Sequence, residues 1–396
     1  MNSEQFRLLG IESDYFAADG SFVRVPEEVL ASLAAILTVP GQPFFADFDE
    51  VFTIAPEMVS LISVGGVLSR CAAAYLLDEK GNSLPYSFVM MEGERIELPP
   101  LPAGYYTLEL HGAHQMRRCL VIVAPQRVYQ PEALRRGERL SGINVQLYSL
   151  RSAHNWGIGD LGDLRRLVAD FAADGIDFIG INPLHALFTT RPNWASPYSP
   201  SSRRWLNPIY IDVGGMQLFQ TSPSAQAWFS DAETQAVLSR LREADWVDYA
   251  QVMALKMRAL CLIFHDFDAQ EMFADSREAF AEFLQRGGRD LRLFATFEAL
   301  DHYFYAQTAS IPFSEDSVGW LGWPEAYRYP DSAAVRAFAV SHEADIRFYM
   351  WLQWLMAEQL DILRLACHEA GMNLRLYGDL AVGVSRGGAD TWMHRE

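Results

Sequence analysis

The stretch INVQLYSLRSAHNWGIGDLGDLRRLVADFAADGIDFIGINPL (Ile143–Leu184) decides the fold. Its first eight residues, Ile143–Leu150, read as an apolar strand. Leu164, Leu167, Val168, Phe171 and Ala172 then fall on one helical face, and Gly175 ends the run. Ile176–Leu184 returns to a strand pattern. Strand, crossover helix and strand in so short a span form a parallel β-α-β unit.

A third strand follows only after a long interruption. NLRLYGDL (Asn373–Leu380) is short and apolar and carries Asp379 at its C-terminal end, where α/β proteins place chemistry. Helical periodicity fills most of the interval, near 232–244, 248–264, 276–286, 290–307 and 333–370. Such a gap far exceeds an ordinary crossover. The reading is a helical subdomain, about 217–370, inserted into a barrel or a doubly wound sheet within a domain spanning 141–396.

Upstream the rhythm differs. Residues 1–50 read as an N-terminal helical segment, with Pro26 at a helix start and Leu30, Leu33, Ala34 and Leu37 on one face. Residues 51–126 read as a β-sandwich. A Lys80-Gly81-Asn82 turn, the alternating AGYYTLELHG (Ala103–Gly112) and the buried RCLVIVAP (Arg118–Pro125) carry that expectation. Residues 127–140 form a polar, Pro-containing linker.

Composition excludes several classes. A net charge of -18 argues against nucleic acid, whose phosphates need a basic patch. No apolar run reaches the ~20 residues that span a bilayer, so no membrane association is expected. Cys71, Cys119, Cys261 and Cys367 lack metal-like spacing and fit free thiols in a reducing compartment. MNSEQFRLLG lacks the features of a signal peptide, and a cytoplasmic location is expected.

Three stretches could carry chemistry. In NWGIGDLGDL (Asn155–Leu164), Gly157, Gly159 and Gly162 meet the G-x-G-x-x-G spacing, but Trp156 lies inside it and Asn182, not an acid, ends the second strand. The glycines are therefore read as letting a tight loop approach the next helix, with a ligand-facing Trp156 as the functional alternative. NWASPYSPSSRRWLNPIYIDV (Asn193–Val213) concentrates rigid aromatic and hydroxyl groups after the second strand. That chemistry suits sugars, whose C–H faces stack on rings while hydroxyls exchange hydrogen bonds, or else a Pro-braced connection. Asp379 is read as a nucleophile, an acid, a group that binds sugar hydroxyls, or a helix cap. The aromatics of FYMWLQWLM (Phe348–Met356) are read as core, and those of GWLGWPEAYRYP (Gly319–Pro330) as a rim contact for a long ligand.

Together these stretches resemble the 4-α-glucanotransferases (amylomaltases, or disproportionating enzymes) of the α-amylase clan. The resemblance is specific in GINVQLYSLRSAHNWGIGDLGDL, DFIGINPLHALF, SPYSPSSRRWLNPIYIDV and LYGDLAVGVSRGGADTW. It extends more weakly through PAGYYTLEL, VAPQRVY, VDYAQVMALKMRAL and YMWLQWL, and so covers the chain. It implies a multidomain protein: the helical segment and β-sandwich, then the first three β/α units of a (β/α)₈ TIM barrel with a large helical insertion between strands two and three.

The family reaction passes an α-1,4-glucan segment to the 4-hydroxyl of an acceptor glucan, with retention of configuration and without metal or organic cofactor. Retention implies a nucleophile and an acid/base about 5–5.5 Å apart. The resemblance puts the catalytic Asp, Glu and Asp on strands four, five and seven. They are therefore expected downstream of Glu396, and the 396-residue chain is expected to be an inactive N-terminal, donor-side part. An unclosed barrel is also expected to leave the chain prone to aggregate or partly disordered around Leu374–Glu396.

The substrate-binding residues that carry over are Asp379, at the donor subsite, and Tyr198 with Ser196 in Ser196-Pro197-Tyr198. Asn207 is expected to support that loop, and Trp156 and Asp160 are carried over only as part of a matching motif. The implied partners are α-1,4-glucans and maltooligosaccharides, with no protein partner. Two other readings stay open: a non-catalytic glucan-binding fragment, and a related α-glucan hydrolase or branching enzyme.

Overall fold

The computed structural model describes residues 6, 11–17, 20–37, 50–63, 71–79, 81–85, 90–91, 95–112, 116–308 and 317–395. Two compact units divide the chain, Met1–Tyr129 and Gln130–Glu396.

The first unit begins with an antiparallel hairpin, β1 (Asp14–Phe16) and β2 (Phe22–Arg24), where helix was expected. Phe16 and Phe22 pair edge-to-face across it, with ring centroids 5.5 Å apart. Helix α1 (Glu27–Leu37) follows Pro26 and carries Glu27 and Glu28 in its first turn, where negative charge is favoured. It buries Leu30 and Ala34 with Phe6 and Ile11. Residues 38–49 of the expected helical segment, and Lys80 of the expected turn, lie outside the described residues.

Among the described residues seven strands follow: β3 (Glu50–Ile54), β4 (Ser60–Ser63), β5 (Cys71–Leu77), β6 (Met90–Met91), β7 (Arg95–Leu98), β8 (Gly104–Gly112) and β9 (Met116–Val123). They pair as two sheets, β3-β9-β8-β5 and β4-β7-β6. The two-residue period of β8 and β9 turns Tyr106, Leu108, Leu110, Cys119, Val121 and Val123 inward. There they meet Ile62, Ile96 and Leu98 of the smaller sheet in one core.

In the second unit the expected linker holds a single helical turn, α2 (Glu132–Arg135). Strand β10 (Gly142–Val145), helix α3 (Leu161–Ala173) and strand β11 (Phe178–Ile181) form the β-α-β unit. Strand β10 is shorter than its apolar run. After Val145 the chain turns into a 3₁₀ segment, Leu147–Ser149, as Leu147 N–H donates to Asn182 Oδ1 at 2.8 Å. Asp160 caps α3, accepting from Gly162 N and Asp163 N, while the Asp163 carboxylate returns to Asp160 N. At the other end Ile176 N–H donates to Phe171 O and Gly175 N–H to Ala172 O, with Gly175 at φ 75°. This Schellman closure needs the left-handed glycine that the sequence supplies.

Strand β14 (Arg375–Gly378) lies parallel on the other side of β11, giving the order β10-β11-β14. Asp177 ties the N-terminal ends of all three. Its carboxylate accepts from Ser141 N at 2.7 Å and Asn373 Nδ2 at 2.6 Å, and its carbonyl accepts from Leu374 N and Arg375 N.

Between β11 and β14 the chain first makes a small hairpin, β12 (His185–Ala186) and β13 (Ser202–Leu206), in a stretch read as loop. Helices follow: α4 (Gln217–Thr221), α5 (Pro223–Phe229), α6 (Ala232–Glu243), α7 (Tyr249–Ala269), α8 (Ala274–Thr308), α9 (Ala333–Ser341) and α10 (Glu343–Glu369). Helix α8 bends at Gly288, whose φ is 52°. Trp351, Leu352 and Leu355 of α10 are buried, and Trp351 and Trp354 pack on Phe267 and Phe280. Helix α10 leaves by the same closure as α3: Met372 N–H donates to Cys367 O, and Gly371 sits at φ 76°.

The last segment is tied down rather than loose. Helix α11 (Ala389–Met393) packs Trp392 against Phe297 and Trp323, and the Trp392 indole donates to Tyr327 O at 3.0 Å. Trp320 and Trp323, expected at a rim, are buried. Among the described residues, no helix is long and apolar enough to cross a membrane.

Candidate functional site

The parallel register places Val145, Ile181 and Gly378 at one level, so Gln146, Asn182 and Asp379 follow at the C-terminal ends of the three strands. Asn182 is buried and fully used. It accepts from Leu147 N, and its amide donates to Pro183 O and to the Tyr210 hydroxyl. Asp379 is exposed. One carboxylate oxygen accepts from Leu380 N at 2.8 Å and the other accepts the Tyr198 hydroxyl at 2.9 Å. Two of the residues singled out in the sequence thus meet across 181 positions. The carboxylate raises the Tyr198 pKa, chiefly through that hydrogen bond, so the phenol keeps its proton and remains the donor.

Tyr198 and Ser196 line a cleft of about 650 Å³, with Asn193 and Trp194 on their own loop and Val318 and Ser385 opposite. Its size and mixed aromatic, hydroxyl and amide lining suit a polar ring system such as a sugar. The far wall depends on a close backbone approach. A Cβ on Gly387 would stand 2.0 Å from Val318 O, so only glycine lets the strip Gly383–Gly388 lie against Val318. Ser385 N–H donates to Pro200 O at 2.7 Å and closes the strip onto the Tyr198 loop.

The segment after Asp379 is pinned by residues the sequence reading did not single out. His185 Nε2 accepts from Ala381 N at 3.3 Å, and Arg203 Nη1 donates to Val382 O at 2.9 Å. Burial, and secondarily the Arg203 charge, lower the His185 pKa, so the ring is neutral with a lone pair free for that amide. Asp390 holds the hairpin, accepting from Ser202 Oγ at 2.5 Å and Arg203 N at 2.9 Å. His185 was legible in one respect: it lies four residues past the end of β11, on the face where strand ends carry function. Arg203 was not, since nothing local distinguishes it from Arg204, which pairs instead with Asp290 at 2.7 Å.

The structure corrects the placing of Trp156. It is 2% exposed and stacks on Phe229 at 5.2 Å, beside Phe219 and Trp228. A ring this size gains more from burial than from a rim position. The neighbouring glycines serve packing, as a Cβ on Gly159 would lie 2.0 Å from Leu147 O. Asn207 is also buried. It caps the 3₁₀ turn Pro208–Tyr210, accepting from Ile209 N at 3.1 Å, and so supports the loop without facing the cleft. Among the described residues, no three His, Cys, Asp or Glu side chains converge as a metal site requires.

The sequence pattern of the 4-alpha-glucanotransferase family matches residues 145–396. A 4-alpha-glucanotransferase of Haemophilus influenzae is 37% identical over 388 residues, covering 97% of this chain and 55% of that protein. One from Mycobacterium tuberculosis is 35% identical over 307 residues, covering 74% of this chain and 39% of that protein. The crystal structure of amylomaltase from Corynebacterium glutamicum superposes with a TM-score of 0.71 at 25% identity, over 98% of this chain and 56% of that one. The chain spans about half the length of the Haemophilus and Corynebacterium proteins, and less of the mycobacterial one.

Proposed function

Because this chain belongs to the 4-alpha-glucanotransferase family, we propose that it supplies the donor-sugar side of an enzyme that moves α-1,4-glucan segments onto the 4-hydroxyl of an acceptor glucan. The observation that carries this reading is the Tyr198–Asp379 hydrogen bond at the edge of an open cleft. An oriented, exposed carboxylate accepts two sugar hydroxyls well, and charge-assisted bonds of this kind are about twice as strong as neutral ones. Ser196, Asn193 and Ser385 line the cleft beside Tyr198 with polar groups, and Trp194 adds a ring face. The chemistry of retention requires a nucleophile and an acid/base flanking the scissile bond. No bond-making step is assigned to a residue of this chain.

Strands β10, β11 and β14 are proposed to be the first three strands of a (β/α)₈ barrel, with residues 217–370 as its insertion and a sandwich domain before it. The working location is the cytoplasm, in keeping with the free thiols of Cys261 and Cys367.

The direct test is calorimetric titration of the chain with maltoheptaose. Wild type is expected to bind, Asp379→Ala to abolish binding, and Tyr198→Phe to weaken it about tenfold, which is the loss of one charge-assisted hydrogen bond. Affinity unchanged in both variants would overturn the assignment. A protein carrying a whole barrel, given maltotriose, is expected to yield a ladder of longer and shorter linear products. Water-terminated sugars or α-1,6 branches would mark a hydrolase or a branching enzyme instead.

A further inference from the structure

The loop that presents Trp194 and Tyr198 comes directly from Phe188–Arg191, and one face of α8 holds that run. Glu298, Asp301 and Tyr305 stand at i, i+3 and i+7 on this face. Thr189 Oγ1 donates to Glu298 Oε2 at 2.9 Å. Thr190 Oγ1 donates to Asp301 Oδ2 at 2.5 Å, and Arg191 Nη1 donates to the same carboxylate oxygen at 3.2 Å. The Arg191 guanidinium lies over the Tyr305 ring at 4.9 Å. Two backbone bonds pass the anchor on, from Arg191 N to Phe188 O at 3.1 Å and from Trp194 N to Arg191 O at 2.9 Å. Trp194 also packs edge-on against Phe188, at 6.0 Å.

We propose that Glu298 and Asp301 are positioning residues for the cleft: this acid pair latches Thr189–Arg191 onto α8 and so sets the wall that carries Trp194 and Tyr198. The proposal rests on the reading of that cleft as a glucan site. Both acids are 3% exposed, so neither serves solubility, and helix α8 has no need of two buried carboxyls for packing. Their partners all come from the one loop.

The two acids act differently. Asp301 is paired with Arg191. Glu298 has Thr189 as its partner, and its Oε1 has no hydrogen-bond partner. Asp301 on α8 and Tyr349 on α10 interact with Glu298 directly; Arg191 on the loop and His302 on α8 act on Asp301, and Cys261 on α7 acts on Tyr349. Burial, reinforced by the Asp301 charge, pushes the Glu298 pKa up to about 8, so near neutrality it is the uncharged acid. Opening the latch exposes Glu298 to water and returns it toward 4.5. The open fraction should therefore rise with pH between these values and level off above about 8. From pH 6 to pH 8 the expected rise is about 50-fold.

The test combines hydrogen exchange over Phe188–Tyr198 with maltoheptaose titration, on the whole chain at pH 6 and pH 8. Wild type, Asp301→Asn and Glu298→Gln are compared, with thermal melts to confirm folding. Asp301→Asn is expected to speed exchange in this loop and weaken maltoheptaose binding at least tenfold at both pH values. Glu298→Gln keeps an acceptor for Thr189 and is expected to bind as wild type at pH 6. After correction for the intrinsic, base-catalysed rise of amide exchange with pH, it should also lose the pH dependence of protection, a change that a purely packing role would not produce. If wild type binds while both variants match its exchange and affinity at both pH values, the latch is refuted. If wild type does not bind maltoheptaose, the glucan reading falls, and the positioning role falls with it.

Discussion

Lys256→Met is the most informative single substitution in the second unit. Lys256 is 1% exposed on α7. Its ammonium donates to Ile209 O at 2.7 Å and Ile211 O at 2.8 Å, and it stands 3.5 Å from Asp160 Oδ2, the carboxylate that caps α3. One cation thus joins α7, the 3₁₀ turn after β13 and the helix that follows β10. Methionine matches the aliphatic stem but donates nothing. Two buried carbonyls would lose their donor, at about 1–3 kcal/mol each, and Asp160 would lose its counter-charge. Breaking a buried pair from one side typically costs about 3–5 kcal/mol. Burial already pushes the Asp160 pKa up to about 7 against the pull of Lys256, so part of that cost is relieved by protonation. A loss of about 3 kcal/mol should lower Tm by roughly 6 °C, at the small end of the per-kcal shift because the unit is large. Thermal circular dichroism at pH 7 reads this directly. Asp160→Asn, which keeps both carbonyl bonds and a competent cap, should fall by less than half as much. A Lys256→Met transition that stays cooperative within 2 °C of wild type would refute the account of Lys256 as the joint between these elements.

Three further expectations follow from single contacts. Trp156→Leu should cost about 2–4 kcal/mol in urea unfolding, by opening the cluster with Phe219, Trp228 and Phe229, yet leave maltoheptaose affinity within twofold in the folded protein. Affinity lost without a stability change would restore it to the ligand. Gly387→Ala forces a Cβ to within 2.0 Å of Val318 O; it should destabilise by about 1–3 kcal/mol and also weaken sugar binding, because the cleft wall must move. For Glu298 the sign with pH is fixed. The folded state holds this proton up to about 8 and the unfolded state only to about 4.5, so its contribution to stability falls as pH rises through that window and is constant above it. Melts of Glu298→Gln against wild type should thus favour the variant more at pH 8 than at pH 5, and parallel melts at the two pH values would contradict the burial argument.

Periodicity and punctuation made the framework legible. The apolar stripe Leu164–Ala172, with Asp160 before it and Gly175 after it, specifies a capped helix within a few residues of chain. Gly371 does the same for α10. Where local signals were weak the reading failed locally. Strand β10 stops at Val145 because the side-chain amide of Asn182, just past the end of β11, captures Leu147. The hairpin β12–β13 was missed because β12 has only two residues and no alternation to show.

The sequence alone determined that a β-α-β unit would form, that helices would fill most of the interval before β14, and that Asp379 would stand at a strand end. Each depends on spacings of a few residues that the backbone reads directly. Which side chains share the cleft was decided by the tertiary structure. Tyr198 reaches Asp379 across 181 residues only because β14 joins the sheet beside β11 after the whole insertion has folded. Trp156 turns inward because α5 brings Phe229 beneath it. Glu298 finds Thr189, 109 residues away, only because α8 packs along the loop. Such meetings depend on register and packing between distant segments, and no local pattern in the chain carries that information.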